Sequence, residues 1–89
     1  MLLLYVSLLT KSTFSVSFLY TASMIIGKRI KELRIDAGIS QQKLAEEIGV
    51  NRSAVSFWES GINEPKATYI AKLATFFGVS ADYLLGLED

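Results

Sequence analysis

An all-α fold of five short helices is predicted by three features of the sequence. The first is a repeated stop signal: Gly38-Ile39-Ser40, Gly49-Val50-Asn51, Gly61-Ile62-Asn63 and Gly78-Val79-Ser80. Each pairs a glycine able to end a helix in the left-handed conformation with an apolar residue and a cap for the next helix. The second is that apolar residues between these stops recur at helical spacing. The third is the unequal distance between stops, which argues against a stacked repeat array and for one small packed unit.

The first helix, about Ile26 to Ala37, places Ile26, Ile30, Leu33 and Ala37 on one stripe, with Lys28, Arg29 and Lys31 outside it. Ser40 can cap the second helix, on which Leu44, Ala45 and Ile48 form one buried face. After the Gly49 turn, Asn51 caps a third helix that turns Ala54, Val55 and Trp58 inward. Arg52, Ser53, Ser56, Phe57 and Ser60 point the other way, with no carboxylate before Glu59. The small Ala45 lets the two backbones approach closely, and the tight turn crosses them steeply. That is the geometry of a helix-turn-helix, whose second helix can enter a DNA major groove. An αα-corner that only packs a core has the same spacing. Pro65 has the fixed φ that suits the first position of a fourth helix, whose core face is Ile70, Leu73, Ala74 and Phe77. A fifth, from Ser80 to about Leu85, ends at Gly86. Its Tyr83, Leu84 and Leu85 are more apolar surface than one short turn can hide, and read equally as core and as a dimer seam.

Composition bounds the chemistry. The 89 residues allow one small domain, with neither cysteine nor histidine. Disulfides and thiolate metal sites are therefore excluded, and so are the commonest general base and metal ligand. The remaining polar residues show no nucleophile–base pairing, so no catalytic site, metal site or cofactor is expected. Nine Lys plus Arg balance nine Asp plus Glu. Lys11 is the one charged residue before Met24, so the remainder carries 8 − 9 = −1. Attraction to phosphate must then come from how charge is distributed, not from its sum.

Residues 1–23 differ in kind. Leu2 to Leu9 is almost wholly apolar, Thr10 to Thr13 polar, and Phe14 to Tyr20 alternating and then apolar. A membrane span needs about 20 mainly apolar residues, and Lys11 with eight Ser or Thr interrupts this one. No positive charge precedes the apolar run, as a secretory signal would require. Two short strands around Thr10–Thr13 and a poorly ordered helix both suit its composition. We take it as an extension upstream of a functional start at Met24; a hydrophobic arm for a partner or membrane is the other reading.

Residues Met24 to Asp89 resemble the DNA-binding domain of the XRE helix-turn-helix family, which includes lambda-type phage repressors and Cro proteins. The match runs through Arg-Ile-Lys-Glu-Leu-Arg (29–34), Gly-Ile-Ser-Gln (38–41), Leu-Ala-Glu-Glu-Ile-Gly-Val (44–50), Trp-Glu-Ser-Gly (58–61), Leu-Ala (73–74), Phe-Gly-Val-Ser (77–80) and Asp-Tyr-Leu-Leu-Gly (82–86). The resemblance implies a compact five-helix lambda-repressor-like domain, sequence-specific binding of double-stranded DNA and a homodimer. It further implies a small cytoplasmic, nucleoid-associated transcriptional repressor on an inverted repeat, with no membrane attachment. The alternatives are the antitoxin of a toxin–antitoxin pair and a protein-interaction module that kept the fold without DNA binding. Three residues follow Gly86, which suggests control by dimerisation, abundance or a protein partner rather than by a sensing domain.

Within that frame Arg52 has the fork that matches guanine O6 and N7, and serves equally as a phosphate contact. Ser53 and Ser56 can bond several bases and discriminate weakly. Phe57 departs from the family, which usually has a polar or basic residue there. Its ring can pack on thymine methyl groups or fold back over the domain. Phosphate grip is expected from helix ends: Ser40 and Gln41, which match the family's backbone-bonding position, Asn63 and Lys66 at the start of the fourth helix, and Ser60 between them. In the family, Arg34 and Glu59 match positions that commonly form an ion pair bridging the first and third helices. Physically, an unpaired Glu59 would repel phosphate and oppose the helix dipole. Partial burial of that pair is expected.

Overall fold

A computed structural model describes residues 22–89, which form five α-helices with no strand among them. They are α1 (residues 22–36), α2 (Gln41–Ile48), α3 (Arg52–Ser60), α4 (Ala67–Phe77) and α5 (Ala81–Leu84). Readings that concern residues 1–21 lie outside this part of the chain.

The glycine stops act as the sequence predicts. All four glycines are left-handed, with φ between +69° and +88°. The amides of Ile39, Val50, Ile62 and Val79 each return to the carbonyl five residues back, at 2.9–3.3 Å. Carbonyls that a helix end leaves unpaired are thereby satisfied before the chain turns. Ser40, Asn51 and Ser80 cap the helices that follow, accepting from Lys43, Ala54 and Tyr83 amides at 2.9–3.0 Å.

Asn63 breaks the pattern, since α4 starts at Ala67 with Lys66 at its N-cap and no side-chain bond there. Pro65 accordingly precedes the helix instead of opening it. A proline pushes the residue before it out of the helical region, so Glu64 and Pro65 extend the loop, and the Pro65 ring is buried. The first helix also starts earlier than its apolar stripe suggests, running through Met24 from at least residue 22. Ala37 lies beyond its end and is exposed, because the turn into Gly38 begins there.

The core draws on all five helices: Ile26 and Ile30, Leu44, Ala45 and Ile48, Val55 and Trp58, Ile70, Leu73 and Ala74, and Leu84. Trp58 meets Tyr69 across the α3–α4 junction with ring centroids 5.6 Å apart. Leu84 is fully buried, so of the seam candidates it is a core residue. Tyr83 is half-buried beneath Arg29, whose guanidinium lies 4.3 Å from the ring centroid. Arg29 does not ride free outside α1. It donates to the carbonyls of Tyr83 and Glu88 and ties the C-terminal turn to the first helix.

Gly27 carries a constraint with no signature in the apolar pattern. It is buried inside α1, where glycine is less favourable than alanine by about 1 kcal/mol. A Cβ built there would collide with the carbonyl oxygen of Trp58 and lie 3.0 Å from that of Glu59. Helix α1 thus touches the backbone at the end of α3, and only glycine fits. Gly27→Ala should therefore lower stability by about 1–3 kcal/mol in urea unfolding despite the better helix former. A variant as stable as the parent, or more so, would contradict this close approach.

Candidate DNA-binding surface

The α2–α3 pair turns one polar face outward, and each end of that face has a distinct support. Arg52 and Ser53 are exposed, Ser56 is half-buried, and Phe57 is 42% exposed. Among the described residues Arg52 and Lys66 form no ion pair, and both cations are exposed.

One flank is built on Glu59. Arg34 grips it with two parallel bonds, Nε to Oε2 at 2.6 Å and Nη2 to Oε1 at 3.0 Å. The remaining guanidinium nitrogen, Nη1, donates to the Ile39 carbonyl at 2.9 Å, so the same side chain also pins the turn before α2. Gln41 completes the cluster by donating from Nε2 to Glu59 Oε1 at 3.1 Å. The two charged side chains are 13% and 4% exposed and both residues are partly buried, as expected. Bonding to Glu59 raises the Arg34 pKa, more than burial lowers it. A raised cation pKa gives stability that is present below the ordinary arginine range and lost only above it. This contribution is therefore constant around neutral pH. The arrangement ties α1, the α2 N-terminus and the α3 C-terminus into one unit.

The other flank is a groove of about 660 Å³ between α3 and the start of α4. Val50, Ala54, Phe57, Trp58 and Tyr69 give it an apolar floor, and Ser53, Asn63 and Lys66 line it with polar groups. Two of the base-reading candidates and two of the phosphate candidates therefore share one concavity. Ser40 is an exposed cap as well as a phosphate candidate. The Ser60 hydroxyl donates to the Phe57 carbonyl at 3.2 Å and stays exposed.

The Gln41–Glu59 bond and the groove escape sequence reasoning, because both depend on where separate helices are set against each other. Only the 18-residue separation of Gln41 and Glu59 was visible in the sequence, and separation alone does not imply contact. Among the described residues no cluster of His, Cys, Asp or Glu could hold a metal ion. Nor is any described helix long and apolar enough to cross a membrane.

A helix-turn-helix family model matches residues 30–84, which includes every helix but the first part of α1. The chain belongs to the XRE-type helix-turn-helix family. It is 36% identical over 66 residues to the HTH-type transcriptional regulator ImmR of Bacillus subtilis, covering 74% of this chain and 52% of that protein. Among solved structures it is similar to the P22 c2 repressor bound to a synthetic operator, at TM-score 0.68 and 33% identity over 71% of this chain and 96% of that one. The restriction-modification controller protein C.AhdI of Aeromonas hydrophila matches at TM-score 0.66 and 35% identity, over 73% and 94% of the two chains. The chain spans about half the length of curated relatives such as ImmR. Members of this family are DNA-binding transcriptional regulators, not enzymes.

The partly buried bracket makes a direct prediction, with each single loss falling between the exposed and the fully buried case. Removing one partner of a buried ion pair costs about 3–5 kcal/mol, whereas replacing both by apolar side chains of similar volume is often close to neutral. Arg34→Met and Glu59→Met should each cost more than the roughly 1 kcal/mol of an exposed pair and less than the full buried penalty, and the double variant should lose far less than their sum. Urea unfolding of the four proteins measures the coupling; additive losses would show that the pair contributes no more than an exposed one.

Proposed function

We propose that this chain is a dimeric transcriptional repressor that sets α3 in the major groove of an inverted-repeat operator. The observation that carries this is the outward face of α3 with its only acid neutralised. Glu59 is the one carboxylate on that helix, and Arg34 and Gln41 hold it out of reach of phosphate. A helix that served only as packing would gain nothing from a partly buried ion pair beneath a polar, basic-ended face.

Arg52, exposed at the first position of α3, reads a guanine edge, and Ser53, Ser56 and Phe57 contact neighbouring bases. On one flank Ser40 and Gln41, and on the other Ser60, Asn63 and Lys66, hold the sugar-phosphate strands and set the register. Gln41 is aimed by Glu59, so the bracket inside the domain also orients a group on its surface. The P22 c2 repressor's solved complex with operator DNA supports this reading. For the dimer we assign Leu85, 37% exposed, and Leu87, 68% exposed, as the seam, with Tyr83 at its edge and Leu84 kept inside. Two-fold symmetry then places half-sites about one helical turn apart. We place the protein in the cytoplasm, on the nucleoid.

Selection of bound sites from random duplex DNA should yield an inverted repeat. Arg52→Ala should then relax the preference at one base position per half-site, at about 1–3 kcal/mol for the favoured base. Gln41→Ala should weaken all sequences about alike. The same unselective loss in both variants would remove Arg52 from the base edge. No enrichment at all would overturn DNA reading.

A further inference from the structure

We propose that Arg29 is a positioning residue that sets how far apart the two half-sites of the operator must lie. The inference rests on the dimer reading above and gives that dimer its geometry. Arg29 locks the seam to helix α1, and α1 is locked in turn to the reading helix.

The seam residues Leu85 and Leu87 lie on a stretch that cannot hold its own shape. Helix α5 has four residues, far below the roughly 12–15 at which a helix is marginally stable alone. Leu84 is its one buried side chain. Gly86 then turns left-handed at φ +80°, and the Leu87 amide returns to the Asp82 carbonyl at 2.8 Å. That bond shapes the turn but does not hold it against the rest of the domain. Arg29 does so. Its Nη1 donates to the Tyr83 carbonyl before the turn and, at 2.6 Å, to the Glu88 carbonyl after it. Its guanidinium carbon lies 4.3 Å from the centroid of the Tyr83 ring. The Ser80 hydroxyl donates to the Glu88 carboxylate and closes residues 80–88 into one loop. One turn earlier on α1, Ile25 meets the backbone of Gly86, where a Cβ would lie 3.0 Å from its Cγ2. Leu85 and Leu87 therefore sit between two carbonyls held by the same nitrogen.

Helix α1 meets the reading unit on another side. Gly27 follows Ile25 by two residues, roughly 200° around the helix, and abuts the Trp58 carbonyl. Arg34 lies two turns beyond Gly27 on that same side and holds Glu59. A single helix thus stands between the seam and the end of α3, fastened to each by an arginine. The offset from seam to reading helix is then fixed within one protomer, and two-fold symmetry turns it into a spacing between half-sites. Lysine in place of Arg29 would keep the charge but lose the flat group that bonds two carbonyls while lying over a ring.

The test uses the full chain and the inverted repeat it enriches from random duplex DNA, resynthesised with one base pair added or removed between the half-sites. Each change turns one half-site against the other by about 35°. The parent should lose about a hundredfold on both duplexes, because a half-site out of register forfeits most of what a linked second contact adds. Arg29→Met should bind all three spacings within about threefold of one another, with the base preferences of each half-site unchanged. Arg29→Lys can still bond one carbonyl, so it decides the matter should Arg29→Met fail to fold; its spacing preference should fall between the two. A parent indifferent to spacing would overturn the proposal. So would the parent's full preference kept in both variants. A fall to the affinity of a single half-site at every spacing would overturn it too, making Arg29 a holder of the dimer and not of its geometry. Enrichment of a half-site with no inverted repeat would instead reject the dimer reading beneath it.

Discussion

Helix α1 meets the C-terminal end of α3 backbone to backbone, and this contact fixes where the outer face of α3 points. Gly27 permits the approach, since any Cβ would strike the Trp58 carbonyl. Arg34, two turns further along α1, then reaches Glu59 and holds the same end of α3 from the side. Steric fit sets the distance between the helices, and the bidentate ion pair sets their rotation. Neither would suffice alone. A fork without close approach would leave the pair wet and weak, and close approach without the fork would leave Glu59 buried and unpaired.

The same bracket accounts for how a domain with a net charge of about zero can present a face fit for DNA. Several cations are already occupied. Lys43 pairs with Glu47 at 3.0 Å, Lys28 with Glu32 at 3.9 Å, and Arg29 holds the C-terminal turn. What faces outward at the proposed interface is mostly neutral: hydroxyls, amides and helix N-termini, with Arg52 and Lys66 as its cations. Such groups act through directed hydrogen bonds and local dipoles rather than a broad positive field. Register and base choice then depend on how well the groups are aimed, and so on the α1–α3 contact and on the hold of Glu59 on Gln41.

The helices were legible in the sequence because their signals are local. A left-handed glycine, an apolar residue behind it and a side-chain cap occupy adjacent positions and act on one another directly. Two things stayed hidden: which of two local effects of Pro65 prevails, and every contact between distant segments. Pro65 suits a first helical turn by its φ, yet its effect on Glu64 lengthened the loop and left Asn63 without a helix to cap. Gly27 leaves no mark in the apolar pattern of α1, because its value lies in a carbonyl some thirty residues away. At the site, the outward set on α3 follows from its 3.6-residue period. The Gln41–Glu59 bond and the groove shared by Phe57 and Lys66 do not, since they exist only once three helix ends converge.

Salt dependence tests the central claim most directly, because each cation placed on a phosphate releases counterions and each neutral grip releases none. The slope of log K against log salt is about −0.9 per phosphate neutralised. With Lys66 alone, or Lys66 and Arg52, on each half of a dimer, the selected duplex should give a slope of about −2 to −4. Binding that is selective yet this weakly salt-dependent is what an interface of aimed neutral groups requires. A slope steeper than about −6 would show that other lysines carry the grip, and that the face organised by Arg34 and Glu59 is not what holds the strand.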